Sequence, residues 1–305
     1  MLRLKDLLAM GENQLEQAKI PDYAHDARAL MEFAFALDRS QMFMKWADDI
    51  DDIWCDKYLD IVHRRALGEP LQYITGVQNF MGIDFMVNEH VLIPRQDTER
   101  LVENARLIIE SKTTKKTAEP ESPYIYEAIP ARKNWKVLDL CCGSGAIGVS
   151  IAKLCPNVKK VLCSDISGEA LAVAKQNAKA AGVDKKIDFA MGDMFEALGK
   201  RAKFDMIISN PPYIETSMIP TLQREVREYE PMLALDGGAD GLDFYRSIIQ
   251  NAPAYLDKKG ILMLEIGYNQ AEQISAMLEE TQSFAKTEIV RDYGGNNRVV
   301  CALLK

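Results

Sequence analysis

Two segments of the 305-residue chain hold side chains whose types and spacing could do chemistry together. The first is Asn210-Pro211-Pro212-Tyr213, which closes the apolar run Phe204-Asp205-Met206-Ile207-Ile208-Ser209. Consecutive prolines fix the backbone and remove two N–H donors, leaving the Asn210 side-chain oxygen and the Pro211 carbonyl as rigid acceptors. Such a pair can hold both protons of a planar –NH2 group, and the ring of Tyr213 can lie against its face and exclude water. A proline-rich loop that merely ends a strand is the bland alternative. The second segment is Cys141-Cys142-Gly143-Ser144-Gly145-Ala146-Ile147-Gly148, between an apolar strand and a helix. Its glycines allow a ligand to approach the backbone, and the helix start offers free N–H groups. Asp165 lies 20 residues beyond Gly145 at the end of the next strand, where a carboxylate can accept from ribose hydroxyls. This combination points to an adenosine-containing cofactor. Gly143, Gly145 and Gly148 also satisfy the dinucleotide spacing, so the loop alone leaves a nicotinamide enzyme open, as it does a tight turn without a ligand. A hydride-transfer enzyme, however, has no obvious use for the tetrapeptide.

The elements that must position these residues follow from periodicity. From residue 136 strands and helices alternate: strands at 137–140, 161–164, 187–190, 204–209 and 261–266, with helices from Gly145 and over 168–181, 242–256 and 270–279. Alternation of this kind predicts a mostly parallel sheet covered on both faces, with the tetrapeptide at its carboxyl edge. Two last strands, near 287–291 and 298–304, read as an antiparallel pair at the sheet's end. A helix is expected from Asp97, acting as its cap, to about Glu110. Residues 111–134, with several prolines and no clear period, read as an exposed insertion. Upstream, Leu4, Leu7, Leu8, then Ala27, Leu30, Met31, then Tyr58, Ile61, Val62 recur at helical spacing and predict a small bundle over residues 1–68. Residues 69–96 carry Pro70, Gly76, Gly82 and Pro94 around two short runs, a hairpin turning at Gly82 that links the bundle to a domain spanning 97–305.

Composition narrows the classes. Hydrophobic residues make up 48% and charged ones 27%, which excludes disorder and fibrous proteins. Apolar runs fall far short of the roughly 20 residues a membrane span needs, and residues 1–20 have no signal-peptide core, so a cytoplasmic location is expected. Six cysteines without a Cys-x-x-Cys pair, beside three histidines, predict reduced thiols and no metal site. The net charge is −8, and residues 1–69 hold nine basic against fourteen acidic side chains, a net of −5. Such a surface suits phosphate backbones poorly, so stable nucleic-acid binding is not expected.

Asn-Pro-Pro-Tyr after a strand of this kind resembles the signature of S-adenosylmethionine-dependent methyltransferases acting on planar amino or amide nitrogens. Further segments narrow the match: Glu69-Pro70-Leu71-Gln72-Tyr73-Ile74-Thr75-Gly76, Leu92-Ile93-Pro94-Arg95-Gln96-Asp97-Thr98-Glu99, Glu230-Pro231, the run Gly237 through Arg246, and Leu264-Glu265-Ile266-Gly267. With the helical first domain they resemble the PrmC/HemK family of release factor glutamine methyltransferases along nearly the whole chain. The resemblance implies a Rossmann-like α/β methyltransferase fold over 97–305, an N-terminal substrate-recognition bundle, and S-adenosyl-L-methionine as cofactor. It places Cys141, Cys142, Gly143, Ser144 and Gly145 along the methionine and ribose portion, Asp165 on the ribose hydroxyls, and Asp193 and Met194 against adenine. Asn210, Pro211, Pro212 and Tyr213 would hold the acceptor amide beside the cofactor, with no dedicated general base. The implied acceptor is the glutamine of the Gly-Gly-Gln motif in peptide chain release factors. A large-subunit ribosomal protein, a nucleic-acid amino group, and a non-catalytic adenosine-binding module are the other readings. Three features depart from the family: Cys141 replaces a glycine, where a left-handed backbone would be strained; Gln96 replaces a proline; and the 111–134 insertion is long.

Overall fold

A computed structural model describes residues 2–111, 125–129, 132–199 and 201–305, so most of the expected 111–134 insertion lies outside the described residues. The chain forms two compact units, Met1–Val77 with Leu222–Tyr229, and Gln78–Thr221 with Glu230–Lys305.

The first unit contains β1 (Leu2–Arg3), α1 (Leu4–Gln17), α2 (Tyr23–Phe35), α3 (Arg39–Met44), β2 (Asp49–Ile50), α4 (Asp52–Ala66) and α5 (Leu71–Thr75). The apolar positions read at helical spacing supply its core: Leu4, Leu7 and Leu8 of α1, Leu30 and Met31 of α2, and Tyr58 and Val62 of α4 are all buried. The buried side chains of Asp26 and Arg65 pair at 2.7 Å, and Arg65 also reaches Glu225 at 2.9 Å. Glu225 belongs to a segment that rejoins this unit from more than 140 residues away, which no local periodicity signals.

The second unit begins with β3 (Val77–Phe80) and β4 (Ile83–Met86), which pair in a two-stranded sheet. Met81 and Gly82 between them both have positive φ, 53° and 73°, the arrangement of a tight two-residue hairpin turn. Then follow α6 (Gln96–Glu110), α7 (Ile125–Ala128), β5 (Trp135–Leu140), α8 (Ala146–Leu154), β6 (Val158–Asp165), α9 (Gly168–Ala180), β7 (Ile187–Met191) and β8 (Phe204–Ser209). After α10 (Arg224–Tyr229), which packs with the first unit, come α11 (Asp243–Tyr255), β9 (Leu256–Glu265), α12 (Ala271–Glu280), β10 (Phe284–Arg291) and β11 (Asn297–Leu304).

Seven strands make one sheet in the order β10-β11-β9-β8-β5-β6-β7. The pairs β9·β8, β8·β5, β5·β6 and β6·β7 are parallel, whereas β11 runs antiparallel to both β9 and β10. The fold is thus a mostly parallel α/β sheet with its antiparallel pair at the end, and β11 is the reversed strand. Side chains alternate between two cores, as the strand period requires. Val137, Met206 and Met263 face α6, α8 and α9, while Leu138, Ile207 and Leu262 face α11 and α12. Burial on both faces explains why β8 reads as an unbroken apolar run.

Three boundaries differ from expectation. Helix α6 starts at Gln96 with Arg95 at its cap position and no side-chain cap, so Asp97 is not the cap. Asp97 lies instead in the first turn, where a carboxylate complements the helix dipole, and it pairs with Arg298 at 3.1 Å. Strands β6 and β9 begin earlier than expected because Lys159-Lys160 and Asp257-Lys258-Lys259 interrupt the apolar pattern at their starts.

Strand β5 turns into α8 at the centre of the sheet, with β6 on one side and β8 on the other. That is the switch point where open α/β sheets leave a crevice. Close packing of α8 depends on Gly148, whose N–H donates to Asp139 Oδ2 at 2.8 Å. A Cβ there would stand 2.6 Å from Cys163 Sγ and 2.8 Å from Asp139 Oδ2. Gly148→Ala is therefore expected to lower stability by about 1–3 kcal/mol through overpacking. Chemical denaturation would read this as a lower midpoint, and an unchanged midpoint would show that the helix can move aside.

Candidate active site

A cavity of about 410 Å³ opens at the carboxyl ends of β5, β6 and β8. Cys141, Cys142, Gly143 and Ser144 line it after β5, Asp165 closes β6, Asp193 and Met194 follow β7, and Asn210 and Pro212 follow β8. The structure thus brings together residues from four separate strand ends. Gly145, Pro211 and Tyr213 do not line the cavity: Gly145 stands behind it as the cap of α8, and Pro211 is buried.

The turn after β5 is held by its own backbone. Gly143 and Gly145 have φ of 52° and 77°, and Cys141 has φ of 59°, so this non-glycine position does adopt a left-handed backbone. For a residue with a Cβ this conformation costs about 1–2 kcal/mol. Gly143 N–H donates to Asp165 Oδ2 at 2.8 Å, and Ser167 N–H donates to Asp165 Oδ1 at 3.0 Å. Each carboxylate oxygen keeps a further lone pair, which suits a vicinal diol. Burial pushes the Asp165 carboxyl above its ordinary range, against the opposing pull of those N–H groups. Asp193 precedes the 3-10 turn Met194–Ala197, and Met194 Sδ lies 3.7 Å from Cys141 Sγ. The glycine turn, the Asp165 carboxylate with lone pairs suited to a diol, and the further acidic side chains of Glu89 and Asp193 around the cavity fit an adenosine ligand that carries a positive charge.

The tetrapeptide is anchored from behind. Asn210 Nδ2 donates to Thr98 Oγ1 at 3.3 Å, which leaves Oδ1 free as an acceptor. Gln270 Nε2 donates to the Tyr213 carbonyl at 3.0 Å, and the Tyr213 hydroxyl lies 3.5 Å from Glu265 Oε1. Gly237 and Gly241 let a neighbouring loop pass against Tyr213, since a Cβ on either would come within 2.7 Å of its backbone.

Four polar residues that shape the site were not singled out for it from the sequence. Asn177 exchanges two hydrogen bonds with the Met86 backbone and donates to the Ser144 carbonyl at 2.9 Å, tying β4 to the glycine turn. Thr98 and Glu265 back the tetrapeptide, and Asp139 underlies α8. Asn177, Asp139 and Glu265 each interrupt an apolar stripe or run, a signal of a buried polar group with a task.

Burial pushes Asp139 up to about 7, partly offset by the Gly148 N–H. Its folded-state value lies above its unfolded one, so its contribution to stability is complete below about pH 4 and is lost as pH rises through 7. Asp139→Asn keeps an acceptor for Gly148 and removes the charge. Relative to the parent, the variant is expected to gain stability between pH 5 and 8, and parallel pH–stability curves would contradict this.

Among the described residues no group of three or more His, Cys, Asp and Glu could hold a metal ion, and no helix is long and apolar enough to cross a membrane. All six cysteines are free thiols, five of them buried.

Two family models match the chain: the PrmC N-terminal domain over residues 6–76, and the methyltransferase small domain over residues 115–237. A release factor glutamine methyltransferase of Clostridium acetobutylicum is 37% identical over 99% of this chain and 99% of its own length. Another from Geobacter sulfurreducens is 39% identical over 95% of this chain and 91% of its own. A third, from Moorella thermoacetica, is 35% identical over 99% and 98%.

Proposed function

This chain belongs to the release factor glutamine methyltransferase family, and from that premise we propose that it methylates the side-chain amide nitrogen (N5) of the glutamine in the Gly-Gly-Gln motif of peptide chain release factors. The methyl donor is S-adenosyl-L-methionine, which when bound supplies an electrophilic methyl on a sulfonium. One observation carries the reading: Asn210 lines the same cavity as the glycine turn and Asp165.

An amide nitrogen is a poor nucleophile because its lone pair is delocalised into the carbonyl. Asn210 Oδ1, on the cavity wall, would accept one amide proton, and the Pro211 main-chain carbonyl, which stands behind that wall, could take the second only once the acceptor is seated against the tetrapeptide; either bond would draw electron density back toward nitrogen. Pro212 keeps this backbone rigid and presents no competing N–H. Tyr213, tethered near Glu265, stands behind the cavity wall and supports the tetrapeptide from there. Asp165 would accept from the ribose hydroxyls through its remaining lone pairs, residues 141–145 would hold the methionine and ribose portion, and Asp193 with Met194 would border adenine.

Methyl transfer from labelled S-adenosyl-L-methionine tests this. The acceptors are a purified full-length release factor, its Gly-Gly-Gln glutamine variant, the large-subunit ribosomal protein and ribosomal RNA. Label on the wild-type release factor alone, located at that glutamine by mass spectrometry, is the expected result. Label on the ribosomal protein or RNA would keep the tetrapeptide chemistry and overturn the acceptor, and no label on any acceptor would favour a binding module.

A further inference from the structure

We propose that Arg95 binds the α-carboxylate at the amino-acid end of the cofactor, and that buried Glu230 holds the guanidinium in place for it. The inference rests on the cofactor reading given above and adds to it a cation that the glycine turn, Asp165 and Asp193 do not supply.

S-adenosyl-L-methionine carries, besides its sulfonium, an amino-acid tail that ends in an ammonium and a carboxylate. Once out of water that carboxylate needs a cation or several N–H donors. Sheet order gives the cavity an axis: Asp193 follows β7, Asp165 closes β6, the glycine turn follows β5 and Asn210 follows β8. The two aspartates thus stand at the β6 and β7 end, the one given to adenosine above. Arg95 is the one lysine or arginine among the described residues that line the cavity, and it belongs to the β8 end. Thr98, in the first turn of α6, donates its N–H to the Arg95 carbonyl at 3.1 Å, and the Thr98 hydroxyl receives Asn210 Nδ2 at 3.3 Å. The tail branches from the same sulfur as the reacting methyl, so it starts at the end where Arg95 stands.

The guanidinium is held by one edge only. Arg95 Nη2 donates to Glu230 Oε1 at 2.5 Å, and the Glu230 side chain is 1% exposed where that of Arg95 is 40% exposed. A guanidinium has five N–H donors in one plane, so this bond fixes the plane and leaves donors for a second carboxylate, which can take two of them side by side. Pro94, next to Arg95, and Pro231, next to Glu230, both line the cavity, so the pair joins two stretches of its wall. Neither proline has an N–H to offer. His90 on the same wall stands 3.9 Å from Glu89, with both side chains exposed. The target glutamine presents a neutral amide, which gives Arg95 no charge to meet; the cofactor tail does.

Calorimetry on the full chain tests this with two ligands, S-adenosylhomocysteine and S-adenosyl-3-thiopropylamine, which differ only in the carboxylate. The parent is expected to bind the first about 30-fold more tightly, the scale of a charge-assisted fork. In Arg95→Ala that ratio should fall to about threefold or less, and in Arg95→Lys, which keeps the charge and loses the fork, to about tenfold. Asp165→Ala should weaken both ligands alike and leave the ratio at the parent's value. Misfolded protein lowers the stoichiometry of both titrations and not their ratio, so loss of the Glu230 contact cannot imitate the result. A ratio in Arg95→Ala equal to the parent's overturns the assignment. So does an unchanged ratio with a raised KM for the release factor, which would give Arg95 to the acceptor. If the parent binds neither ligand, the cofactor reading fails as well; if the parent separates the two ligands and Arg95→Ala separates them equally, the assignment of Arg95 fails alone.

Discussion

Replacing Asn210 with alanine is expected to lower kcat by about a thousandfold at saturating cofactor and acceptor, with cofactor Kd changed by less than about threefold. The magnitude follows from removing one preorganised polar group aimed at the reacting atom, typically worth a factor of about 100 to 1,000. The selectivity follows from position. Among the described residues the Asn210 side chain bonds to Thr98 and not to the glycine turn or Asp165. Single-turnover kinetics with calorimetry on the same preparations would check both halves. A variant with parent kcat would remove Asn210 from the chemistry, and one that fails to bind cofactor would make its role a matter of cofactor binding.

Asp165→Ala should act on the other half of the reaction. Here the Kd for S-adenosyl-L-methionine is expected to rise at least 100-fold, with a much smaller loss in kcat once the cofactor saturates. Two hydrogen bonds from ribose to a carboxylate contribute about 1.5–3 kcal/mol each, and every 1.4 kcal/mol is tenfold in affinity. The substitution also frees the N–H groups of Gly143 and Ser167, which Asp165 holds at 2.8 and 3.0 Å, so the turn loses its shape along with its ligand. Asp165→Asn, which keeps an acceptor and loses the charge, should fall between the two. Calorimetry with S-adenosylhomocysteine, which lacks the sulfonium charge, separates the contributions. A Kd for Asp165→Ala equal to the parent's would mean the carboxylate does not touch the cofactor.

Both of these residues are legible in the amino-acid string for the same reason. A strand, a glycine turn and a helix start are contiguous, and so are a strand and the rigid Asn-Pro-Pro-Tyr that ends it. Backbone preference and hydrogen-bonding capacity are properties of each residue and its chain neighbours, so Gly143, Gly145, Asp165 and Asn210 could be picked out before any fold was known. At Cys141 the sequence showed only that a left-handed backbone would be strained; that the backbone is left-handed there, at φ 59°, comes from the structure. The alternation of strands and helices, and hence the parallel sheet, follows from periodicity alone.

What supports those residues is not contiguous. Thr98 meets Asn210 across 112 residues, Asn177 meets Met86 across 91, and Arg298 joins Asp97 although the two lie at opposite ends of the second unit's chain. The cap expected at Asp97 failed for this reason: its carboxylate serves a distant guanidinium, and the helix starts one residue earlier. Likewise the segment Leu222–Tyr229 leaves the domain its sequence position suggests and joins the first unit. The sequence by itself determined the chemistry on offer, because donors, acceptors and backbone limits belong to residue types. Only the tertiary structure decided how that chemistry is oriented, because the charge state of a buried carboxylate and the direction of an amide depend on neighbours that meet only when the chain folds.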